Sequence, residues 1–304
     1  MNNDYKYYGL MVMATIMWAG AFIAGKLGIN QFSPVVLTFL RLLLASIIIF
    51  PVMVSKHKDD WKINKEHLLL VFSLGLIGMT GYHLLFFSAL KYTTASNAAI
   101  INAFNPLITA ILASIILKEY LSVKKIFFIL TAFIGVLLTI TNCDLTLLIS
   151  KELNKGDILM LLAASCWAVY SIIVKKGIKV MEPLKLTTYT FISCVVILSP
   201  FALKSIIFDH ALMVEPSAYL AIIYMAIFPT VFSYTIQQYC IKELGVNTTA
   251  LFINLTPVFT IILAILFLNE KLYLLNIVSI IMIIVSVIMF NRVSKKEIRL
   301  KNLK

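Results

Sequence analysis

Apolar stretches of about 20 residues follow one another along almost the whole chain, separated only by short polar segments. A helix of that length crosses a hydrocarbon core about 30 Å thick. Since 61% of the 304 residues are hydrophobic and only 13% are charged, a water-soluble fold could not bury the apolar surface. We therefore expect an all-α integral membrane protein with ten transmembrane helices, at roughly residues 7–28, 34–54, 68–90, 95–117, 123–141, 157–176, 184–203, 217–241, 247–268 and 272–291.

The basic residues predict the orientation of these helices. With the N-terminus placed in the cytoplasm, 19 Lys and Arg residues fall on the cytoplasmic side and 6 on the outer side. Such an excess is the positive-inside pattern, so we expect a multi-pass protein of a bacterial plasma membrane with both termini cytoplasmic. The first apolar stretch has no A-x-A-like cleavage site and is expected to stay as a helix. The net charge of +12 then reflects topology and contact with membrane lipid, and we expect no nucleic-acid partner.

The chain also repeats itself. "MWAGAFIAGKLG" (17–28) and "CWAVYSIIVKKG" (166–177) agree at five of twelve positions. "NAAIINAFNPLITAILASIILKEYL" (97–121) and "TTALFINLTPVFTIILAILFLNEKL" (248–272) agree at nine of 25, including Pro106 with Pro257 and Glu119 with Glu270. We predict two five-helix repeats, 1–145 and 156–291, followed by a basic cytoplasmic tail at 292–304.

Five is an odd number of membrane crossings, so the second repeat must enter the membrane from the opposite side. Inverted repeats of this kind are a recurrent transporter architecture, with substrate bound near the membrane midplane between the halves. The predicted fold is therefore two inverted five-helix repeats around a central cavity that opens alternately to each side.

The segments "MWAGAFIAGK", "FLRLLLAS" and "ALKYTTASNAAII", followed by "NPLITAILASIILKEYLS", together resemble the EamA branch of the drug/metabolite transporter superfamily. The resemblance covers essentially the whole chain and recurs in "NTTALFINLTPVFTIILAILFLNEKL". It implies export of amino acids or other small metabolites, although some members of the family import nutrients or move drugs. In one respect the two halves differ, because Arg41 aligns with Thr190.

We accordingly expect a monomeric secondary transporter that exports amino acids or related small molecules by alternating access, without metal or cofactor. Import of choline or another organic cation, or drug efflux, is the alternative, because aromatic rings near the midplane also attract cations. A membrane-embedded enzyme fits less well, since the sequence has no H-E-x-x-H, no G-x-S-x-G, no Walker lysine and no paired carboxylates within the spans.

Two tryptophans are the first candidates for a substrate site. Trp18 and Trp167 lie near the middle of their predicted helices, too deep for the interfacial belt that tryptophan usually occupies. They could pack the two repeats together, or they could form walls of the cavity that Phe22 and Tyr170 extend by one turn.

Ionisable residues inside the predicted spans are scarce. Arg41 lies in the outer third of the second helix, where it could extend to the surface or face the cavity and attract a carboxylate. His83 lies at similar depth in the third helix, as a structural histidine or as a proton-sensing group. Since the spans contain no deep carboxylate, we expect facilitated or weakly coupled transport in which His83 at most modulates the rate.

Polar side chains accompany the two repeat-related prolines. Each proline frees a carbonyl one turn earlier, and this group needs a partner in lipid. The neighbouring polar groups could satisfy the kink, contact substrate, or do both; they are Asn102 and Asn105 beside Pro106, and Asn254 and Thr256 beside Pro257. Tyr234 and Gln238, one turn apart on the eighth helix, are predicted to add a polar inner wall.

Three glycines in "GLIGMTG" are spaced at every third residue of the third helix. Gly75, Gly78 and Gly81 lack the strand–turn–helix setting of a nucleotide-binding loop, and small residues at such spacing let membrane helices approach closely. We therefore predict tight helix packing at these glycines.

Overall fold

The computed structural model describes residues 4–58, 60–116, 121–141, 153–208, 212–244, 252, 255–271 and 273–301. Within these residues every regular element is a helix. Eight helical segments are long and apolar enough to cross a membrane: Tyr5–Gly28, Pro34–Lys56, Lys65–Tyr92, Ala95–Ile116, Lys155–Val174, Pro183–Phe208, Ala218–Gln237 and Leu274–Val293.

Thirteen α-helices make up the described chain, together with one 3-10 turn at Lys65–His67 and two π-helical segments. The helices are α1 (Asp4–Gly28), α2 (Pro34–Lys56), α3 (Leu68–Ser73), α4 (Tyr82–Tyr92), α5 (Ala95–Asn102), α6 (Asn105–Ile116), α7 (Val123–Thr141), α8 (Lys155–Gly177), α9 (Pro183–Phe208), α10 (Pro216–Met225), α11 (Ser233–Leu244), α12 (Thr256–Leu268) and α13 (Leu274–Lys301). The first π segment, Leu74–Gly81, joins α3 to α4, and the second, Ala226–Phe232, joins α10 to α11.

The eight segments correspond to eight of the ten predicted spans. The other two predicted spans are helical over Val123–Thr141 and Thr256–Leu268, the second being only 13 residues long in the part of the chain that is described. The prediction of a helical, multi-pass membrane protein is thus confirmed, whereas the full set of ten crossings remains a prediction.

Local sequence signals explain where the helices begin. Ser33 caps α2, its Oγ accepting a hydrogen bond from the amide of Val36 at 3.3 Å, and Pro34 occupies the first turn, where no amide is needed. Thr94 caps α5 through the amide of Asn97 at 3.0 Å. These polar residues end the preceding connections and fix the entry of each helix into the apolar layer.

The repeat-related prolines break the helices where we expected kinks. Residues 103 and 104 form a turn, and α6 begins at Asn105 with Pro106 directly after it. In the second half α12 begins at Thr256 with Pro257 in its first turn. A proline in the first turn costs no hydrogen bond, because the amide at that position has no helical partner. The prolines therefore mark new helix starts at equivalent positions of the two halves.

The two π segments also occupy equivalent positions. At the 151-residue offset that relates the two predicted repeats, residues 226–232 correspond to 75–81, which lie inside the first π segment. π-Helical turns are rare and are found frequently at functional sites. Their occurrence at one register in both halves directs attention to the side chains that surround them.

The helices of the two halves interleave. The most extensive packing joins α7 to α13, α2 to α9, α8 to α4, α1 to α12 and α11, and α9 to the first π segment. Lys56, at the end of α2, pairs with Glu182 before the start of α9, with Nζ and Oε1 3.2 Å apart. Thus α2 and α9, which hold equivalent places in the two halves, run antiparallel.

Two of the three glycines of the first π segment lie in close helix contacts, whereas a methyl group at Gly81 would meet no atom closer than 3.4 Å. A methyl group at Gly75 would lie 2.6 Å from the hydroxyl oxygen of Ser193 on α9, and one at Gly78 would lie 2.0 Å from the ring of Tyr170 on α8. These positions agree with the interpretation of "GLIGMTG" as a packing motif.

Candidate functional site

Tyr234 lies between the two repeat-related tryptophans. Its ring centroid is 6.1 Å from that of Trp18 and 6.2 Å from that of Trp167. Both tryptophans are only partly buried, although each stands near the middle of its helix. The two halves therefore meet at the middle of the molecule through aromatic rings that leave part of their surface uncovered.

The π segments position these rings. The indole N–H of Trp18 donates to the main-chain carbonyl of Pro229, in the second π segment, at 3.0 Å. Trp167 packs against Tyr82 at 4.8 Å and Tyr170 at 4.9 Å between centroids, and Tyr170 fits there because Gly78 has no side chain. Trp18 thus binds the second π segment directly, whereas Trp167 lies next to the first through Tyr82, which follows that segment, and Tyr170, which packs on Gly78.

Phe22 joins this cluster indirectly. It is buried and contacts Phe86 edge-on at 5.0 Å, and Phe86 stacks on Tyr82 at 5.7 Å. Tyr82 in turn contacts Trp167. Of the predicted aromatic residues, Trp18, Trp167, Tyr170 and Tyr234 therefore form the centre, and Phe22 lies at its edge.

Arg41 is buried beside the aromatic cluster, with 4% of its surface exposed, and it does not extend to the membrane surface. Its Nε donates to the hydroxyl of Thr230, in the second π segment, at 2.9 Å, while that hydroxyl donates to the carbonyl of Met225 at 2.7 Å. This is the only hydrogen bond of the Arg41 side chain to the described residues. The guanidinium thus keeps donors that the described protein does not use.

Neutral groups surround the Arg41 charge. The phenols of Tyr82 and Tyr234 and the thiol of Cys194 are close enough to interact with it electrostatically. Among the described residues no carboxylate pairs with Arg41. A buried cation without a counter-charge is unfavourable, and this site would be stabilised by an anionic group brought in from outside.

His83 is 2% exposed and lies next to the same cation. Its Nδ1 is 2.8 Å from the carbonyl oxygen of Met79. Because a carbonyl only accepts, Nδ1 carries the proton, and in the neutral ring Nε2 keeps its lone pair. The ring also packs edge-on against Tyr82 at 5.0 Å. His83 therefore has a structural partner, and a charged ring would bring two cations together at Arg41.

The predicted asparagines behave differently from one another. Asn105 donates from Nδ2 to the carbonyl of Ala164 on α8 at 2.7 Å, so it fixes the start of α6 against the other half. The Oδ1 of Asn102, at the end of α5, is buried without a hydrogen-bond partner among the described residues. Neither ring contacts nor hydrogen bonds in the described chain join Asn102 to the aromatic cluster.

Two predicted residues cannot be assigned a place in the site. Asn254 lies outside the described residues. Gln238 belongs to α11, but its side chain is not among those described.

Sequence reasoning missed four residues of the site: Tyr82, Phe86, Phe191 and Thr230. Tyr82 and Phe86 are one turn apart and flank His83, a spacing that could have suggested them. Phe191 contacts Tyr234 at 5.7 Å but looks like any aromatic residue of an apolar helix. Thr230 follows Pro229, and only the structure brings it to Arg41.

Several known proteins are similar to this chain in sequence or in fold. The model of the EamA-like transporter family matches residues 6–141 and 154–292. The uncharacterized transporter YyaM of Bacillus subtilis (strain 168) is 33% identical over 259 residues, which cover 84% of each chain. An uncharacterized transporter of Archaeoglobus fulgidus is 32% identical over 266 residues, covering 88% of this chain and 90% of its own. A crystal structure at 17% identity superposes with a TM-score of 0.64, covering 94% of this chain and 97% of the other.

The crystal structure supports the fold alone at that identity. The family match covers nearly all of the chain in two successive segments, and two relatives exceed 30% identity over most of their length. The chain belongs to the EamA-like transporter family, within the drug/metabolite transporter superfamily, and is a multi-pass membrane transporter.

Proposed function

We propose that this transporter exports small organic metabolites that carry a carboxylate, amino acids and related compounds foremost, by alternating access. The observation that carries the proposal is the buried charge of Arg41, which has no carboxylate partner among the described residues and lies beside a partly uncovered aromatic cluster. The carboxylate of the substrate would accept from the free guanidinium donors, and its apolar part would lie between Trp18 and Trp167.

The charge balance favours a zwitterion over a cation. A carboxylate compensates Arg41, whereas a cationic substrate such as choline would place a second positive charge in the same buried space. Aromatic rings alone would suit a quaternary ammonium group, but such sites gain from a nearby acid. In the described part of the cluster the neighbours of Arg41 are the Thr230 hydroxyl, the His83 ring, two phenols and a thiol, and none of them is a carboxylate.

Several features support two inverted repeats, 1–145 and 156–291, as the machinery of alternating access. The family model matches once in each half. The π segments and the proline helix starts recur at one register, and the equivalent helices α2 and α9 run antiparallel. Together with the distribution of basic residues, these features favour ten crossings with both termini in the cytoplasm.

The test is counterflow in proteoliposomes loaded with a panel of amino acids, amines and sugars. We expect exchange of amino acids, and a loss of at least about tenfold in their apparent affinity on Arg41→Met, because a charge-assisted pair is removed. Arg292→Met, on the exposed part of α13, is the matched control and should leave exchange unchanged. The alternative, transport of an organic cation, would be supported if amines exchange and amino acids do not, and if Arg41→Met leaves the exchange of amines unchanged.

A further inference from the structure

Residues 92–97, which comprise the turn between α4 and α5 and the adjoining residues of both helices, are held by side chains from elsewhere in the chain. Glu270, just after α12, accepts two hydrogen bonds from the first amides of α5: Oε1 from Ala95 at 2.7 Å and Oε2 from Ser96 at 3.1 Å. Asn269, in the left-handed conformation with φ of 51°, ends α12 and turns the chain so that Glu270 faces α5. A carboxylate at a helix N-terminus is favourable for the helix dipole.

Lys26 holds the other side of the same turn. Its Nζ donates to the carbonyls of Leu90, at 2.5 Å, and Thr93, at 2.7 Å, which lie at the C-terminal end of α4. A cation there complements the negative end of the helix dipole. The carboxylate of Glu270 thus binds the start of α5, after the turn, and the ammonium group of Lys26 binds the end of α4, before it.

Three further side chains complete the set that we call the clasp. Asp157, which is 2% exposed, accepts from the hydroxyl of Thr93 at 2.5 Å. Asn154 donates to the carbonyl of Tyr92 at 2.9 Å, and Asn276 donates to Oδ1 of Asn97 at 3.0 Å. Apart from Lys26, every side chain that holds the turn belongs to the second half of the chain, so the clasp fastens one half to the other.

Two charges of the clasp, Lys26 and Glu270, are arranged so that the turn can withdraw without leaving them unpaired. Lys26 and Glu270 both bind main-chain groups of the turn, yet they are close enough to attract each other. If the turn withdraws, the ammonium and the carboxylate can pair with one another. Such a contact holds the turn in the closed state, yet opening it costs little free energy. Removing one partner of a buried ion pair costs much more, because the other charge is left unpaired.

The turn also leads directly into the substrate site. It follows α4, whose first turn carries Tyr82 and His83, and it precedes α5, which ends at the break before Pro106. Movement of the turn would displace both helices relative to α8. The clasp lies at the face where α1 ends and α13 begins, opposite the face of the Lys56–Glu182 pair.

We propose that residues 92–97 are the gate of the transport pathway on this face, with Glu270 as its latch. The proposal rests on the proposed transport function and names a gate for it. With both termini cytoplasmic, as the basic residues predict, this is the outer gate, and the structure is the state closed to the outside.

The repeat predicts a weaker counterpart on the cytoplasmic face. Glu119 and Lys175 occupy the sequence positions equivalent to Glu270 and Lys26. The equivalents of Asp157, Asn154 and Asn276 are instead Tyr8, Tyr5 and Lys125, which supply neither the carboxylate nor the amides. Glu119 and the side chain of Lys175 lie outside the described structure, so the counterpart stands on the sequence register alone.

The test uses Cys166, a partly exposed residue next to Trp167, as the single cysteine of a variant in which the other three are replaced by alanine. Right-side-out vesicles are treated with sulfonatoethyl methanethiosulfonate, which does not cross membranes, and labelling of Cys166 is followed by peptide mass spectrometry. Glu270→Gln and Lys26→Met should each accelerate labelling about tenfold, because each removes charge-assisted hydrogen bonds from the closed gate. Glu66→Gln and Lys91→Met, exposed acidic and basic controls, should not.

A covalent closure separates the gate from general loosening. The pair Asn97→Cys and Asn276→Cys, cross-linked in the Glu270→Gln protein, should return Cys166 to the slow rate of the parent. Slow labelling of Cys166 in both Glu270→Gln and Lys26→Met would overturn the proposal of a gate. So would fast labelling despite the cross-link. The control is labelling in detergent, where both variants should react at the rate of the parent. The assay needs no transported substrate, so its failure is distinct from a failure of the counterflow screen.

Discussion

The indole N–H of Trp18 reaches the main-chain carbonyl of Pro229, 211 positions further along the chain, and ties the middle of α1 to the second π segment. Trp18→Phe keeps an aromatic ring beside Tyr234 but removes this bond. We expect a loss of about 1 kcal/mol in unfolding free energy, seen as a lower melting temperature in detergent. Trp167→Phe is the comparison, since the described structure shows no hydrogen bond from the Trp167 indole; equal losses would contradict the role of the bond.

The contact between Gly78 and Tyr170 predicts a second effect. Gly78→Ala would place a methyl group 2.0 Å from a buried aromatic ring, which cannot move aside without disturbing Trp167. Overpacking of this kind costs about 1–3 kcal/mol, and we expect reduced thermal stability together with reduced exchange. Gly9→Ala, with no atom within 4 Å of the added methyl group, should be neutral or slightly stabilising. An unaffected Gly78→Ala protein would mean that α8 shifts freely.

His83 leads to a prediction about energy coupling. Its Nδ1–H donates a hydrogen bond to the main-chain carbonyl of Met79, and Arg41 already supplies a positive charge nearby. We therefore expect flux in proteoliposomes to run down the metabolite gradient, with no uphill accumulation when a pH gradient is imposed. Accumulation that follows the pH gradient in the parent protein and disappears in His83→Ala would instead make His83 the proton carrier.

Glu182, at the face opposite the clasp, makes the stability of the fold depend on pH. Burial alone would raise the pKa of this carboxyl, but hydrogen bonds from the amides of Lys185 and Leu184, and the charge and hydrogen bond of Lys56, outweigh it and lower the pKa. Because its pKa is lower in the folded protein, this carboxyl stabilises the fold at pH values above its unfolded pKa of about 4.3. The contribution is lost as the pH falls through the pKa of the folded state.

We expect the melting temperature to fall as the pH is lowered from 6 through the unfolded value of about 4.3, and that of Glu182→Gln to be lower at pH 6 and less sensitive to pH over that range. Glu66→Gln, at an exposed position near the same face, is the control and should follow the parent protein. Identical profiles of melting temperature against pH for Glu182→Gln and the parent would show that Glu182 does not cause the pH dependence.

Membrane topology can be tested separately. A cysteine replacing Lys151 should react with an impermeant thiol reagent on intact cells, whereas one in the segment 292–304 should react only after permeabilisation. Reaction of both on the same side would contradict the predicted ten crossings.

The sequence was most informative about features that appear twice. Trp18 and Trp167 were found through the repeat, and the structure brings both to Tyr234. The sequence marks Arg41 as unusual because charges are rare in apolar helices, but it does not predict the hydrogen bond to Thr230, which only folding brings near. Tyr82 and Phe191 were missed since aromatic residues are common in membrane helices and their packing partners are distant in sequence.

The helix breaks and the π segments were hidden for a different reason. A proline is compatible with a kink or with a new helix start. At Pro106 a new helix starts, and the side-chain amide of Asn105 holds this start by donating a hydrogen bond to the carbonyl of Ala164 on α8. A π segment differs from an α-helix by one additional residue per turn, which leaves no composition of its own. The glycines at 75 and 78 predicted close contacts correctly, but not the widened helix in which they lie.

The additional residue in each π segment has a mechanical consequence. If it passes into the adjoining α-helix, that helix must rotate by about 100° and advance by about 1.5 Å, the values for one residue of α-helix. Such a rotation in α4 would carry Tyr82 and His83 around the helix axis, and in α11 it would carry Tyr234 out from between the tryptophans. Each half thus contains a place where a helix can rotate within the membrane, changing which side chains face the pathway while its ends move by only about 1.5 Å along the helix axis.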